Sequence, residues 1–364
     1  MHIPNRRTFS AQCVRLAFAG SLALGTAVTS WAAPLAPLNS DREPDRIEWW
    51  QVTSKLGALP KPKPGTKIGA VAKTLTNEYW RLLGDGYQRG GKAAGVQVDL
   101  QAAQNEGDQM GQLAIAENML TTGYSVLLVS PQSDANLQPA VDAAVKAGVP
   151  VVNVNDAVIP MAEHYVGNVQ RDNGARAARW FIKNRPAGGA VAVIEGQAGV
   201  YAAGQRTEGF KTTIGKESTK FKVVASVPGN WDRQLSYDTA TNLLQQHPDL
   251  VGFYCNNDTM ALGVVEAVKA ASKLKQVAVI GTDGIGDAYK SILAGELTGT
   301  VDSFPILTGE VALDVALRLI AGQHVPRVVA TPQALITKDN YSRYKGSEDA
   351  QRKALIEDGT KGSN

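Results

Sequence analysis

The chain has only two cysteines and four histidines among its 364 residues. That is too little material for a disulfide framework or a zinc site, and no metal or cofactor is expected. Charge of one sign is also scarce: 37 Lys and Arg stand against 34 Asp and Glu, a formal excess of +3. A nucleic-acid binder would concentrate its basic residues on one face or arm, so that class is set aside. Long hydrophobic runs are missing as well. The stretch from Val14 to Val28 is rich in Ala, Gly and Leu, and too short for a membrane span of about 20 residues. What is present is 44% hydrophobic and 20% charged residues. That mixture builds real cores and excludes a disordered or collagen-like chain. At roughly 150 residues per domain, the length suggests two domains or one large one.

Arg6-Arg7-Thr8-Phe9 precedes the Val14–Val28 run, and Ser30-Trp31-Ala32 ends it, with small residues flanking a cut before Ala33. The paired arginines with Phe two positions on resemble a twin-arginine export signal; an ordinary secretory signal stays open. Residues 1–32 are therefore expected to be an export signal, which leaves Cys255 alone in a mature chain of an oxidising compartment. Residues 33–66 hold Pro34, Pro37, Pro44, Pro60, Pro62 and Pro64. Proline at that density blocks both helix and ladder, so an extended leader is expected, stapled to the body by Trp49-Trp50.

From Lys67 the pattern alternates. Short apolar strands are expected at 68–72, 96–100, 126–129 and 151–154, with helices at 77–94, 108–121 and 135–147 between them. A second series follows, with strands at 190–194, 221–227, 250–254, 277–280 and 298–301. Its helices are expected at 202–214, 233–245, 260–271, 287–294 and 307–321. Apolar strands alternating with helices of this length specify a parallel sheet covered on both faces, twice over. The end of the chain, 346–364, is charged and aperiodic and is expected to be a flexible tail.

Ligands of such sheets are held just beyond the carboxyl ends of the strands. In the first series those positions carry Asn77, Tyr79 and Trp80, then Ser130, then Asn155 and Asp156. In the second they carry the stretch 201–206, Trp231, Asn257 and Asp283, with Asp302 and Ser303 after the last strand. Carboxylates and amides match the vicinal hydroxyls of a sugar or polyol, and flat aromatics cover its C–H faces. Each residue also has a plainer role: Tyr79 or Trp80 as core, Asn257-Asp258 as a helix cap, Asp283-Gly284 as a turn.

Together these segments resemble the periplasmic substrate-binding proteins of sugar ABC importers, in the ribose-binding-protein group. The resemblance runs from about Lys67 to Tyr341. It is carried by Thr76-Asn77-Glu78-Tyr79-Trp80, Glu195-Gly-Gln-Ala-Gly199, Arg206-Thr-Glu-Gly-Phe210, Asn256-Asn-Asp-Thr-Met-Ala-Leu-Gly263 and Val279-Ile-Gly-Thr-Asp-Gly284. It implies an α/β fold of two Rossmann-like, doubly wound lobes joined by a three-stranded hinge, the type 1 periplasmic binding fold. The lobes would be 67–168 plus 303–331 and 169–302 plus 332–345, with hinge positions at Asn168, Asp302 and Thr331. Asn77, Tyr79, Trp80, Trp231, Asn257 and Asp283 fall on the family's ligand positions. The chain departs from it at Asn155-Asp156, where ribose binders carry Asp-Arg, at Gly204 in place of an arginine, and at Ser303 in place of a glutamine. Those changes predict a more acidic cleft than a ribose binder's, with Arg206 as a structural residue.

The leading expectation is a monomeric periplasmic carrier that hands a neutral sugar or polyol to an ABC permease. The alternative keeps the fold and makes the protein a sensor resembling the trimethylamine-N-oxide sensors, with Tyr79, Trp80 and Trp231 caging an amine cation for a histidine kinase. Docking on a chemoreceptor is a further option. An enzyme is not expected: there is no Gly-x-Ser-x-Gly elbow, phosphate loop or HExxH motif.

Overall fold

The computed structural model describes residues 36–361. The expected export signal, residues 1–32, lies outside them. The leader corrects the expectation of a purely extended segment. Its prolines leave 45–59 free, and there the chain forms β1 (Arg46–Glu48), a 3-10 turn and α1 (Val52–Leu56). Strand β1 sits at a sheet edge, and Trp49 is buried in the core as the expected staple.

The body then alternates: β2 (Ile68–Ala72), α2 (Glu78–Ala94), β3 (Val98–Ala102), α3 (Gln109–Thr121), β4 (Val126–Val129), α4 (Gln138–Ala147), β5 (Val151–Val154) and β6 (His164–Gly167). After α5 (Gln170–Asn184) come β7 (Gly189–Glu195), α6 (Tyr201–Glu217), β8 (Phe221–Pro228), α7 (Arg233–Gln246), β9 (Leu250–Cys255), α8 (Asp258–Ala270), β10 (Ala278–Asp283), α9 (Gly286–Ala294) and β11 (Gly299–Asp302). The chain closes with α10 (Pro305–Ile320), β12 (Val328–Ala330), β13 (Ala334–Thr337), α11 (Tyr341–Tyr344) and α12 (Glu348–Lys361).

Two sheets result. The first has the order β1-β12-β6-β5-β4-β2-β3 and is parallel throughout; the second has the order β13-β11-β10-β9-β7-β8, with β13 antiparallel at its edge. Alternation along each strand feeds two layers. In β2, Ile68, Ala70 and Ala72 join the layer that holds Leu83 and Tyr87 of α2, while Val71 joins Met119 of α3 and Val141 of α4. In the second sheet Val191 and Val193 pack with Phe181 and Phe210 of α5 and α6, and Ala192 and Ile194 with the layer of Met260 and Val264. The chain passes between sheets three times: between β6 and α5, between β11 and α10, and between β12 and β13.

Helix α5 carries few large apolar residues because much of its inner face is made of Gly174, Ala175, Ala177 and Ala178. Small residues are needed there: a Cβ on Gly174 would lie 1.9 Å from the Arg206 carbonyl of α6. The expected flexible tail from 346 is also corrected, since 348–361 is helix α12. Ala354 and Leu355 are buried, and Arg352 pairs with Glu310 of α10 while lying 5.9 Å from the Trp49 ring centroid. Few apolar residues suffice because α12 docks on a surface that the leader completes. No described helix is long and apolar enough to cross a membrane.

Candidate functional site

The carboxyl ends of both sheets meet around a small, partly open pocket. It is lined by Asn77, Tyr79, Trp80, Glu106, Asn155 and Asp156 from the first sheet's loops, and by Arg206, Trp231, Asn257 and Asp283 from the second's. The helix starts do double duty. Asn77 caps α2 by accepting from Tyr79 N at 3.0 Å, and its Nδ2 donates to Glu106 Oε1 at 3.2 Å. Glu106 also accepts from Trp80 Nε1 at 3.0 Å, which fixes the indole. Asn257 caps α8 through Met260 N at 2.8 Å and still borders the cavity.

Backbone strain gathers here. Among the described residues seven non-glycines have positive φ, and four of them, Asn155 (48°), Asp156 (60°), Trp231 (65°) and Asp283 (133°), line the cavity. Asn230 (50°) adjoins Trp231, and Phe304 (48°) sits at the second passage between sheets. Such conformations cost about 1–3 kcal/mol each and persist where surrounding structure holds them for a purpose.

A buried ionic cluster organises the cavity wall. Arg206 donates from Nη1 to Asn256 O at 2.7 Å and from Nε to Gln170 Oε1 at 2.9 Å. It also pairs with Asp283 Oδ1 at 3.6 Å and Asp156 Oδ1 at 3.9 Å. Burial opposes its charge, but Asp283 and Asp156 outweigh burial and raise its pKa. Burial likewise pushes Asp283 well above the usual carboxylate range, against the pull of Arg206. Glu106 is raised by burial, with Lys73 opposing. Lys73, wholly buried, pairs with Asp156 and stands 5.6 Å from the ring centroids of both Trp80 and Trp231.

Of the ten residues expected at the ligand, eight are brought together: Asn77, Tyr79, Trp80, Asn155, Asp156, Trp231, Asn257 and Asp283. Ser130 and Ser303 do not line the cavity. The Ser130 hydroxyl is spent on Val154 O at 2.9 Å, and that of Ser303 is buried without a partner. Arg206 had been assigned a structural role only; it does hold the cluster, and it lines the cavity too. With Lys73 beside it, the wall carries two cations against Glu106, Asp156 and Asp283, so it is less acidic than the missing arginines implied. Glu106 and Lys73 went unnoticed although the same signal marks them. Each is a charged residue beyond a strand's carboxyl end, Lys73 directly after the buried β2 and Glu106 four residues after β3.

Asp258, at the start of α8, anchors the loop that carries Asp283. Its Oδ2 accepts from Gly284 N at 2.8 Å, Ile285 N at 3.2 Å and Thr300 Oγ1 at 2.9 Å. Burial nonetheless lifts its pKa from 3.8 to about 7. A carboxyl raised in the folded state contributes stability that is full below its unfolded pKa and is lost as pH rises through the folded one. The ligand-free protein should therefore lose roughly 2–4 kcal/mol of stability between pH 4 and 8 through this group. Urea melts across that range check it: Asp258→Asn should flatten the slope, and an unchanged slope would assign the loss elsewhere.

Comparison with known proteins agrees with this geometry. Residues 68–324 match the model of the periplasmic binding protein domain. The D-allose-binding periplasmic protein of Escherichia coli is 39% identical over 256 residues, covering 68% of this chain and 82% of that protein. The D-ribose/D-allose-binding protein of Pseudomonas aeruginosa is 31% identical over 284 residues, covering 74% and 88%. Among solved structures, an ABC transporter periplasmic solute-binding protein from Actinobacillus succinogenes with bound D-allose superposes with a TM-score of 0.73. It is 28% identical and covers 77% of this chain and all of that one.

Proposed function

The chain belongs to the periplasmic binding protein family, and from that premise we propose that it captures a monosaccharide or polyol between its two sheets and delivers it to an ABC permease. In this role it works in the periplasm as a binding protein and performs no chemistry on its ligand. The carrying observation is the cavity wall itself. Asp283, Asp156, Asn155, Asn257 and Asn77 offer carboxylate and amide groups to hydroxyls, and Trp80 and Trp231 offer two flat faces. Relatives and structural neighbours named for allose and ribose support the same ligand class. The passages at Asn168, Asp302-Ser303 and Thr331 would serve as the hinge on which the lobes part for entry.

The amine-sensor alternative is not favoured. A cation held by Trp80 and Trp231 would lie close to the Lys73 ammonium, which is 5.6 Å from each ring centroid. A second cation would meet it as a like charge.

A thermal-shift panel of residues 33–364 tests the proposal, with D-allose, D-ribose, D-arabinose and myo-inositol against trimethylamine N-oxide and choline. Stabilisation is expected from the first group only; a shift confined to the amines would overturn the reading. Asn257→Ala and Asp283→Ala should each weaken binding of the stabilising sugar by about 1–3 kcal/mol, because ligand hydroxyls are then buried without partners. Unchanged calorimetric affinity in both would remove these residues from the site.

A further inference from the structure

Resting on the sugar-binding reading, we propose that Asp41 of the leader is a positioning residue for the binding site, acting through Gln170. Helix α5 opens where the chain leaves the first sheet for the second, and its N-cap, Val169, has no side chain that can cap it. The cap comes instead from far back in the sequence. Asp41 Oδ1 accepts from Gln170 N at 3.1 Å and Oδ2 accepts from Arg171 N at 2.9 Å. A carboxylate at a helix start satisfies two otherwise orphaned amides and meets the positive end of the helix dipole.

What Asp41 seats is the residue on which two cavity groups depend. Gln170 is wholly buried. Its Nε2 donates to Asn155 Oδ1 at 2.6 Å, and its Oε1 accepts from Arg206 Nε at 2.9 Å and from Asn173 Nδ2 at 3.3 Å. Asn155 and Arg206 both line the cavity. A shift of the Gln170 backbone therefore moves an amide and a guanidinium that face the ligand.

The leader can bear on this residue because it is anchored to the first sheet. Strand β1 pairs with β12, Asp45 accepts from Arg327 N at 2.9 Å and from Val328 N at 3.0 Å, and Leu38 N donates to Pro160 O at 2.7 Å. Asp41 thus reaches from the first lobe to the first helix of the second. The leader lies outside the stretch that matches the family domain. A further bond to the second lobe runs from Tyr201 OH to Asn39 Oδ1 at 3.0 Å, with the same hydroxyl beside Ser40 and the Asp41 backbone.

The test compares Asp41→Ala, Asp41→Asn, Gln170→Ala, the Asp41→Ala/Gln170→Ala double variant and Glu43→Gln, using D-allose titrations and hydrogen exchange without sugar. In Asp41→Ala, D-allose should bind about tenfold more weakly, through faster release, and exchange should rise at 170–171 and also at 153–157 and 203–209. In the Gln170→Ala background the same substitution should add less than about twofold. Glu43→Gln loosens the leader at its 3.2 Å pair with Arg327, without touching the cap, and should leave affinity unchanged. Should Asp41→Ala not accumulate, Asp41→Asn, which keeps one acceptor oxygen, should show a smaller effect of the same pattern. Exchange changes confined to 168–172, or full additivity with Gln170→Ala, would reduce Asp41 to a structural cap. If D-allose does not bind the wild type, the allose reading fails while the exchange measurement still decides for or against Asp41.

Discussion

Replacing Arg206 with methionine should cost about 3–5 kcal/mol of stability, the largest effect expected of any single cavity substitution. Methionine fills the space, so the loss is not a cavity effect. It arises because Asp156 and Asp283 lose a shared cation, and because the Asn256 carbonyl and Gln170 Oε1 lose their donor, all out of reach of water. Asp283 is already raised by burial and held down only by Arg206; without the arginine it would take up a proton rather than remain a bare buried charge. Adding Asp283→Asn to Arg206→Met should therefore restore part of the loss. Denaturant unfolding followed by circular dichroism measures both. A single-variant loss under about 1 kcal/mol, or no recovery in the double variant, would mean that the cluster is not coupled as its geometry implies.

The second large effect is expected at a residue with no side chain. A Cβ on Gly196 would sit 2.0 to 2.4 Å from three atoms of the Trp231 six-membered ring. Trp231 cannot easily yield, because it and Asn230 both hold positive φ. Gly196→Ala should drive the indole toward the cavity and weaken sugar binding on the order of 100-fold, about 2–3 kcal/mol. Trp231→Ala, which loses only the stacking face, should cost about 1–3 kcal/mol. The pairing of the two discriminates the cause. Once the indole is absent, Gly196→Ala should cost nothing further. An equal loss in both backgrounds would show that the alanine acts through the β7 strand end and not through the ring.

How much of this was legible in the sequence depended on where the energy of each element comes from. Strands such as Val126–Val129 are buried on both faces, so their apolar run is continuous and their bounds could be read directly. Helix α5 was hard to read because close approach to α6 requires glycine and alanine, which leave a mostly polar segment with few large apolar residues. Strand β1 and helix α12 went unseen for a related reason. Each is short of apolar residues and is stabilised by docking on a distant partner: Trp49 with Arg352, β1 with β12. The site was largely legible because position alone, at or within a few residues of a strand's carboxyl end, selected eight of the ten lining residues. Ser130 and Ser303 met the same criterion, but the Ser130 hydroxyl turns to Val154 O on the neighbouring strand and that of Ser303 is buried away from the cavity, and sequence position does not fix either rotamer. Beyond position, Lys73 and Glu106 carry no motif that marks them: Lys73 is buried against Asp156, and Glu106 is held by the Asn77 amide and the Trp80 indole.

The C-terminal helix has a mechanical consequence. Helix α11 belongs with the second sheet, where Tyr341 meets Tyr289 of α9 at 5.5 Å between ring centroids. Helix α12 lies on α10 and the leader, against the first sheet. Residues 345–347 connect the two helices, and Arg343 and Tyr344 of α11 also bind Asp358 of α12. The end of the chain therefore straps one sheet to the other. If the lobes part on the proposed hinge, these bonds must break before the connector can extend to its limit of about 14 Å between flanking α-carbons, so the strap would add resistance to opening that Arg343→Ala should relieve.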